Sequence, residues 1–451
     1  MWTAVSIKRS APSATVLLLE AGSCGDGASG RNGGFVMTAW SKFGTLEKHC
    51  GRQDALHYAR STEQAVLDIG AFCRARELDA QFHQGGWLWA ATNRSQIDAW
   101  RFTIDKLADA GEKPFRLLDG DEVAERSGSP THLAGVFEAS PAIVHPGLLV
   151  RGLVEFAREL DVEVVERCAV RELRSRPTSV VSTERGDVRA DRVALTMGAW
   201  ATAVPEVRRS VVVVASDVIA TDPIPDRLES VGWAPDLAIS DSRRLVNYYR
   251  TTDDGRVVFG KGGGDLAFGA RLGSSFDRSP KNAERVRAQF QRIYPMLSDV
   301  SIYRHWRGAV DYSTTGLPFI GPLPEHPEVL VAVGFSGNGL GASYVAGCAL
   351  AQMALEQDVE RVPESLRRPL GTRMPPEPVR YAAGRIVRES VRRKEDAEDL
   401  GYIPNRLVRA VASLDPTSFT DRGSAAEASA SAVQAVKSSA SADARELKRS
   451  S

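Results

Sequence analysis

The chain has few of the features that mark secreted, metal-binding or disulfide-stabilised proteins. Its 451 residues include five cysteines, an odd number, with no C-x-x-C pair. This spacing argues against a disulfide framework and against a zinc or iron–sulfur site, and it fits a reducing cytoplasm. The seven histidines lack the H-x-x-x-H and H-E-x-x-H spacings of common zinc sites. We therefore expect a cytoplasmic protein without a bound metal.

Long apolar runs and an excess of one charge are also absent. No run approaches the roughly 18 residues that a membrane-spanning helix needs, and Val16–Leu19 is too short for the apolar region of a signal peptide. Lys plus Arg and Asp plus Glu number 57 each, so no basic surface indicates nucleic acid or an anionic membrane as a partner. The G-x-S-x-G turn of many hydrolases is missing too.

The order of the predicted elements indicates the fold class. Strands alternate with helices in both flanks, whereas the middle of the chain is rich in strands. This pattern predicts an α/β (α+β) protein, in which a Rossmann-like nucleotide-binding domain is interrupted by a mixed or antiparallel-sheet substrate domain. The expected parts are 1–84, 145–210 and 305–370 for the first domain, 85–144 and 211–304 for the second, 371–423 for a C-terminal helical segment, and 424–451 for a disordered Ala/Ser-rich tail.

A strand that ends on an acid lies near the start of the chain. The apolar run Val16–Leu19 is followed by Glu20 and then by a glycine-rich loop. The second strand of a dinucleotide-binding unit ends in this way, with its carboxylate placed to accept hydrogen bonds from a ribose diol. A G-x-G-x-x-G turn should lie about 20 residues upstream, but only 19 residues precede Glu20 and Trp2–Arg9 resembles the crossover helix. We expect the first strand of the unit to be missing.

Two glycine-rich turns are further candidates for cofactor binding. The first is the stretch 28–34, Ala-Ser-Gly-Arg-Asn-Gly-Gly. Its glycines allow backbone N–H groups to approach a ligand closely, and its arginine can neutralise a phosphate. The second is 333–341, Val-Gly-Phe-Ser-Gly-Asn-Gly-Leu-Gly, which leads from a strand into a helix whose N-terminus offers free N–H groups.

A third stretch has the composition of a binding pocket. Residues 305–321 mix aromatic and small polar side chains, and Trp306 and Tyr312 are the candidates for a pocket wall.

Together these motifs resemble the FAD-dependent oxidoreductases of the D-amino-acid oxidase group, and within it the gamma-glutamylputrescine oxidase-like branch. The resemblance rests on Leu-Leu-Glu-Ala at 18–21, the two glycine turns, Ala-Asp-Arg-Val-Ala-Leu-Thr-Met-Gly-Ala-Trp at 190–200, and Gly-Leu-Pro-Phe-Ile-Gly at 316–321. It covers roughly residues 1–370. It implies an FAD/NAD(P)-binding Rossmann-like fold that binds FAD, with a substrate domain over the face of the flavin.

Site residues follow from this resemblance position by position. Glu20 corresponds to the acid that binds the ribose, and Val170 to the residue whose backbone meets the adenine. The other cofactor-binding candidates are Ser29, Arg31, Asn32, Gly33, Gly34, Gly198, Trp200, Gly337, Asn338, Gly339, Leu340 and Gly341. No catalytic residue is indicated.

The resemblance also implies the chemistry. The family transfers a hydride from the C–H beside a neutral amine to flavin N5, and the imine that forms is hydrolysed. We expect a small amine or amino acid as substrate, polyamine-derived or D-amino-acid-like, with oxygen or an electron carrier as acceptor. Two alternatives stay open: a flavin-linked dehydrogenase that uses a carrier, and a non-catalytic remnant. Because loss of a central strand removes on the order of 10 kcal/mol of apolar burial, we also expect this chain to fold or bind FAD poorly.

Overall fold

The structure is a computed structural model, and it describes residues 1–174, 179–273, 276–277, 279–367 and 374–415. The predicted tail 424–451 and part of the predicted segment 371–423 lie outside these residues. The α-helices of the described part are α1 Trp2–Ser10, α2 Ala28–Arg31, α3 Phe43–Cys50, α4 Arg52–Ala75, α5 Arg101–Asp109, α6 Gly120–Ser127, α7 Pro146–Glu159, α8 Pro205–Arg208, α9 Pro225–Val231, α10 Pro280–Ile293, α11 Leu340–Ala354, α12 Val379–Asp399 and α13 Arg406–Ala412.

The strands of the described residues form five separate sheets. Their bounds are β1 Leu17–Leu19, β2 Phe35–Val36, β3 Trp87–Ala91, β4 Phe115–Leu118, β5 Ala134–Glu138, β6 Ala142–Ile143, β7 Glu163–Val165, β8 Val170–Arg174, β9 Ser179–Thr183, β10 Gly186–Ala190, β11 Val193–Leu195, β12 Val211–Thr221, β13 Ala238–Asp241, β14 Asn247–Thr251, β15 Val257–Lys261, β16 Ile302–Ser313, β17 Phe319–Leu323 and β18 His326–Val333. No described helix is both long and apolar enough to cross a membrane.

The largest sheet has eight strands in the order β16-β12-β15-β14-β13-β3-β5-β4. All neighbours pair antiparallel except β13 and β3, which run parallel. Because successive side chains point to opposite sides of a strand, each strand contributes side chains to both faces of the sheet. Tyr249 and Phe259 stack on the face covered by α10, with ring centroids 4.9 Å apart. Tyr248, one residue earlier, lies on the opposite face, which is turned toward the glycine-rich loops.

The parallel strands expected of a nucleotide-binding domain form two small groups. β1 pairs with β7, and β11 pairs with β18, which also pairs antiparallel with β17. Within the described residues β1 and β11 are each paired along one edge only. Helices cover these strands, and α1 crosses α11 so closely that a Cβ at Gly347 would lie 2.5 Å from Cβ of Trp2.

The boundary expected at residue 305 falls inside a strand. β16 pairs with β12 from Ile302 to Ser313, so hydrogen bonds assign residues 305–313 to the large sheet. We therefore propose that the third part of the nucleotide-binding domain begins after Ser313.

The C-terminal helix α12 is fixed to the turn between β13 and β14 by buried charges. The guanidinium of Arg243 is 2% exposed and forms ion pairs with Asp241, at 3.0 Å, and with Asp399. On the same helix, Oε1 of Glu395 accepts backbone N–H bonds from Arg244 at 2.8 Å and Leu245 at 3.2 Å. These contacts anchor α12 to the large sheet.

Candidate cofactor and substrate site

The first part of the site lies where β1 and β7 end. Oε1 of Glu20 accepts the N–H of Gly22 at 2.8 Å, and the Glu20 carbonyl accepts the N–H of Cys168 at 2.9 Å. The N–H of Arg167 donates to the Gly22 carbonyl at 2.8 Å, and Val170 begins β8 with 44% of its surface exposed. The two residues assigned to the adenosine end thus lie on neighbouring segments, and their ligand contacts stay a prediction.

The first glycine-rich loop is held by one of its own side chains. Nδ2 of Asn32 donates to the carbonyls of Ser29, at 2.8 Å, and Ala28, at 3.1 Å, while its Oδ1 accepts the N–H of Gly34 at 2.8 Å. In the described structure the Asn32 amide therefore caps α2 and shapes the loop. Ser29 is exposed. A Cβ at Gly30 would lie 2.3 Å from the Gly25 carbonyl, so only glycine fits there.

Gly33 and Gly34 touch the large sheet directly. A Cβ at Gly33 would lie 2.7 Å from the Tyr248 ring, and one at Gly34 would lie 2.1 Å from the Val144 carbonyl. The buried guanidinium of Arg250 donates to the Gly33 carbonyl at 2.7 Å and to the Val144 carbonyl at 3.1 Å. These glycines are required because the Tyr248 ring, the Val144 carbonyl and the Arg250 guanidinium occupy the space that a Cβ would need.

Gly198 and Trp200 lie at the end of β11, next to the same loop. Gly198 has φ +52° and open space around its Cβ position. Trp200 is 42% exposed, and its ring lies 3.6 Å from the position a Cβ would take on Gly27. The structure thus brings this predicted strand end against the glycine-rich loop.

The second glycine-rich turn is tied to β16. Oδ2 of Asp311 accepts the N–H of Gly334 at 2.6 Å, and Oγ of Ser336 accepts the N–H of Ser313 at 3.2 Å. Burial raises the pKa of Asp311 to about 6. Ser336 has φ +54°, an unusual conformation for a residue with a side chain, and Gly337 follows with φ +88°. Such a strained turn persists only where its surroundings hold it in place.

Helix α11 begins at this turn without a side-chain cap. Gly339 is its N-cap residue, so the N–H groups of Leu340 and Gly341 have no partner inside the helix. Nδ2 of Asn338 donates to the Thr38 carbonyl at 3.1 Å, but its Oδ1 is buried without a partner. The turn therefore presents free donors, an unpartnered acceptor and the positive end of a helix dipole.

Aromatic side chains of the large sheet form the wall facing this region. Nε1 of Trp306 donates to the Arg31 carbonyl at 2.9 Å, and Arg31 donates to the Arg307 carbonyl at 3.2 Å. The Tyr248 hydroxyl lies 2.8 Å from Oγ of Ser216. The strand register places Tyr312 on the same face as Trp306, six residues further along β16. The predicted pocket residues Trp306 and Tyr312 therefore share a wall with Tyr248.

Tyr248 lies flat on the sheet because its neighbour has no side chain. A Cβ at Gly260 would lie 2.1 Å from Cζ of Tyr248. Burial raises the pKa of the Tyr248 phenol to about 12, so it is neutral at physiological pH. The ring also meets Phe35 edge to face, with centroids 5.9 Å apart.

These features define an α/β protein of a nucleotide-cofactor class, in which glycine-rich turns at the carboxyl ends of parallel strands meet one face of a large mixed sheet. A model of the FAD dependent oxidoreductase family matches residues 1–353. The chain belongs to this family, and it is an oxidoreductase with FAD as its cofactor. The family resemblance predicted from the motifs is confirmed.

Relatives and solved structures agree with this assignment. Gamma-glutamylputrescine oxidoreductase of Escherichia coli is 27% identical over 354 residues, covering 77% of this chain and 79% of that protein. Glycine oxidase from Geobacillus kaustophilus superposes with a TM-score of 0.66 at 19% identity, covering 83% and 96% of the two chains. Iminodiacetate oxidase from Chelativorans has a TM-score of 0.66 at 21% identity, covering 81% and 96%. These structures confirm the predicted fold class.

The residues present fit the pyrimidine end of FAD. A flavin pyrimidine ring carries carbonyl oxygens and a ring N–H, and it gains negative charge on reduction. The free N–H groups at the start of α11 and the helix dipole suit those oxygens and that charge. The buried, unpartnered Oδ1 of Asn338 suits a ring N–H.

Four residues of the site lie outside the motifs that the sequence analysis singled out. Tyr248, Arg250, Thr38 and Glu138 occupy ordinary strand or loop positions, and they reach the glycine-rich loops only through the pairing of distant strands. Of these, Glu138 had one local clue, because an acid follows the apolar residues of β5.

One cluster of metal-ligand side chains forms elsewhere on the described surface. Ligand atoms of Glu206, Glu325 and His326 lie within 4.8 Å of one another. The residues are exposed or half-buried, and exposed acidic groups often gather without an ion. We propose no metal site there.

Proposed function

We propose that this protein uses FAD to oxidise the C–N bond of a small amine or amino acid. Relatives named for gamma-glutamylputrescine, glycine and iminodiacetate support this substrate class. The observation that carries the proposal is the direct contact between the substrate-side sheet and the glycine-rich loop, through Tyr248 over Gly33 and Trp306 on Arg31.

The wall residues would bind and shield the reacting part of the substrate. Apolar lining with few polar groups is typical of small-molecule sites, and closing it excludes water. The Ser216–Tyr248 hydroxyl pair is the polar group that this wall offers to a substrate nitrogen. Because the Tyr248 phenol is neutral at physiological pH, it can donate or accept a hydrogen bond but does not serve as a charged base.

The chemistry then needs little more from the chain than orientation. When bound, FAD supplies the acceptor for the hydride that leaves the carbon beside the nitrogen. Loss of a hydride from the neutral amine leaves a protonated imine, which water hydrolyses to a carbonyl compound and ammonium or, from a secondary amine, an alkylammonium. No base is required if the amine arrives neutral, and the sheet face, Arg31 and Trp306 fix its approach.

A dehydrogenase that passes electrons to a carrier is the second candidate. The name of a partial match supports this candidate: mitochondrial dimethylglycine dehydrogenase of Rattus norvegicus is 25% identical over 291 residues, 57% of this chain and 32% of that protein. Oxygen uptake separates the two candidates. An oxidase consumes oxygen with substrate alone, whereas a dehydrogenase does so only when an artificial electron carrier is added.

The test is anaerobic reduction of the purified, FAD-loaded protein by a panel of amines and D-amino acids. We expect at least one of them to bleach the visible flavin absorbance. Tyr248→Phe keeps the ring and removes the hydroxyl, and we expect about a tenfold slower reduction from the loss of one hydrogen bond. A flavin that no member of the panel reduces would favour the non-catalytic remnant.

A further inference from the structure

The turn that joins α12 to α13 places large apolar side chains in solvent. Its sequence at residues 400–405 is Leu-Gly-Tyr-Ile-Pro-Asn. Ile403 is 87% exposed and Leu400 is 72% exposed, and Tyr402 and Leu407 beside them are exposed as well. We call Leu400, Tyr402, Ile403 and Leu407 the apolar turn. Apolar side chains gathered on the surface of a folded protein mark a contact with another protein or with a membrane.

Hydrogen bonds and packing hold the apolar turn in its outward position. The N–H of Tyr402 donates to the Ala397 carbonyl at 2.9 Å. Oδ1 of Asn405 accepts the N–H of Leu407 at 2.7 Å and so caps α13. Ala412, on the inner side of α13, is buried. The exposure of these apolar side chains is therefore a property of the folded structure.

The charge around the apolar turn is positive. The exposed charged residues between 393 and 414 are Arg393, Arg406, Arg409 and Asp396. Arg393 forms an ion pair with a neighbour on α12, whereas neither Arg406 nor Arg409 forms one within the described residues. The equal totals of acidic and basic residues in the whole chain are compatible with this excess, because it is local.

An anionic lipid surface fits this combination better than a second copy of the chain. Apolar side chains flanked by arginines enter the boundary between headgroups and acyl chains, where the guanidinium groups meet lipid phosphates. In a two-fold contact between copies the same patch meets itself. The arginines around the apolar turn would then approach one another and repel.

We propose that the apolar turn inserts into the surface of an anionic membrane, with Arg406 and Arg409 against lipid phosphates, so that the protein binds membranes peripherally. A contact of this kind needs side chains at the interface and no spanning helix. The inference goes beyond the proposed amine oxidation and does not rest on it, because it uses none of the residues placed at the cofactor or substrate site.

The test is co-sedimentation of the purified full chain with two kinds of vesicle. One contains phosphatidylcholine alone, and the other contains in addition about 30% phosphatidylglycerol, which is anionic. We expect binding to the anionic vesicles to be at least about tenfold tighter, and to weaken as salt screens the charges. On anionic vesicles, hydrogen exchange measured by mass spectrometry should slow within residues 400–414 and stay unchanged elsewhere.

Two double variants separate the apolar and charged contributions. Ile403→Gln with Leu407→Gln should weaken binding to the anionic vesicles at least about tenfold, because two apolar side chains are lost from the interface. Arg406→Gln with Arg409→Gln should weaken it about 30-fold and leave binding to neutral vesicles unchanged. All four side chains are exposed, so the midpoint of urea unfolding should not move in either variant.

Matched controls make the same changes elsewhere on the surface. Leu117→Gln replaces an exposed leucine on β4, and Arg304→Gln replaces an exposed arginine on β16. Both should bind vesicles as the wild type does.

Three outcomes would overturn the inference. The first is a wild type that does not bind anionic vesicles. The second is binding that survives both double variants, or that the controls weaken equally, because the lipid contact would then lie elsewhere. The third is a dimer in sedimentation velocity that Ile403→Gln with Leu407→Gln dissociates, without vesicle binding, which would make the apolar turn a contact between copies.

Discussion

Replacing Arg250 by methionine should loosen the glycine-rich loop from the large sheet. Its guanidinium donates to three backbone carbonyls, those of Gly33 at 2.7 Å, Thr251 at 2.9 Å and Val144 at 3.1 Å. Hydrogen bonds from a charged donor contribute about 1.5–3 kcal/mol each, or roughly 5–9 kcal/mol for three. Methionine keeps the apolar length of the side chain and makes none of them.

Part of that contribution is offset by the cost of burying the charge. Burial lowers the pKa of Arg250 from 12.5 to about 10, which corresponds to a cost of roughly 3 kcal/mol. The net loss of stability in Arg250→Met is therefore about 2–6 kcal/mol. Urea unfolding of the variant measures it.

A local assay tests where the loss occurs. Trypsin cleaves after Arg31, which lies in the loop that Arg250 holds, and cleavage there requires the loop to open. Lowering the opening free energy by about 3 kcal/mol should raise the cleavage rate after Arg31 about 100-fold. Peptide mapping by mass spectrometry resolves this cleavage from others.

The control is Arg304→Met, which removes an exposed arginine from the same sheet. We expect it to change stability by less than about 0.5 kcal/mol and to leave cleavage after Arg31 unchanged. If Arg250→Met behaves like this control in both assays, the reasoning about the loop is wrong.

Three further predictions concern buried charges. Burial lowers the pKa of His132 from 6.5 to about 4. Between these pH values the native state binds fewer protons than the unfolded state, so the free energy of unfolding falls by about 3 kcal/mol as the pH drops from 6.5 to 4. Urea unfolding of His132→Asn should show a smaller fall. The pKa of Glu138 is raised from 4.5 to about 8, so the wild type loses stability as the pH rises through that window, whereas chemical denaturation of Glu138→Gln should not. Asp217→Asn breaks a buried ion pair with Arg307, at 2.8 Å, and should lower the stability measured by calorimetry by about 3–5 kcal/mol. Hydrogen bonds from His305 and Arg307 hold the Asp217 pKa below its ordinary value despite burial. The wild type therefore loses the contribution of this ion pair only as the pH falls through the lowered pKa.

Features that depend on neighbouring residues could be predicted from the sequence. The strand ending at Glu20, the glycine-rich loop at 28–34 and the turn leading into α11 are each encoded within a short stretch, and the structure has them in those places. α7 shows the same locality, because Pro146 occupies its first turn and His145 caps it through Nδ1.

Features that depend on pairing between distant strands could not be predicted. Arg250 meets Gly33 across 217 positions of sequence, and Thr38 meets Glu138 across 100. The alternation of side chains along β14 or β5 does not predict which loop covers the face of the sheet on which Tyr248 lies. The boundary expected at residue 305 depends on such pairing too, since β16 is hydrogen-bonded to β12 of the large sheet.

The prediction that a strand is missing beside β1 remains open to experiment. β1 and β11 each offer an unpaired edge among the described residues, where a further parallel strand could be added. Both edges are half-buried or exposed rather than enclosed.

The most direct test of the central claim is the visible absorbance spectrum of the purified protein after incubation with FAD and desalting. We predict a bound-flavin band that stays with the protein. Absence of that band would contradict the assignment of the glycine-rich turns as an FAD site.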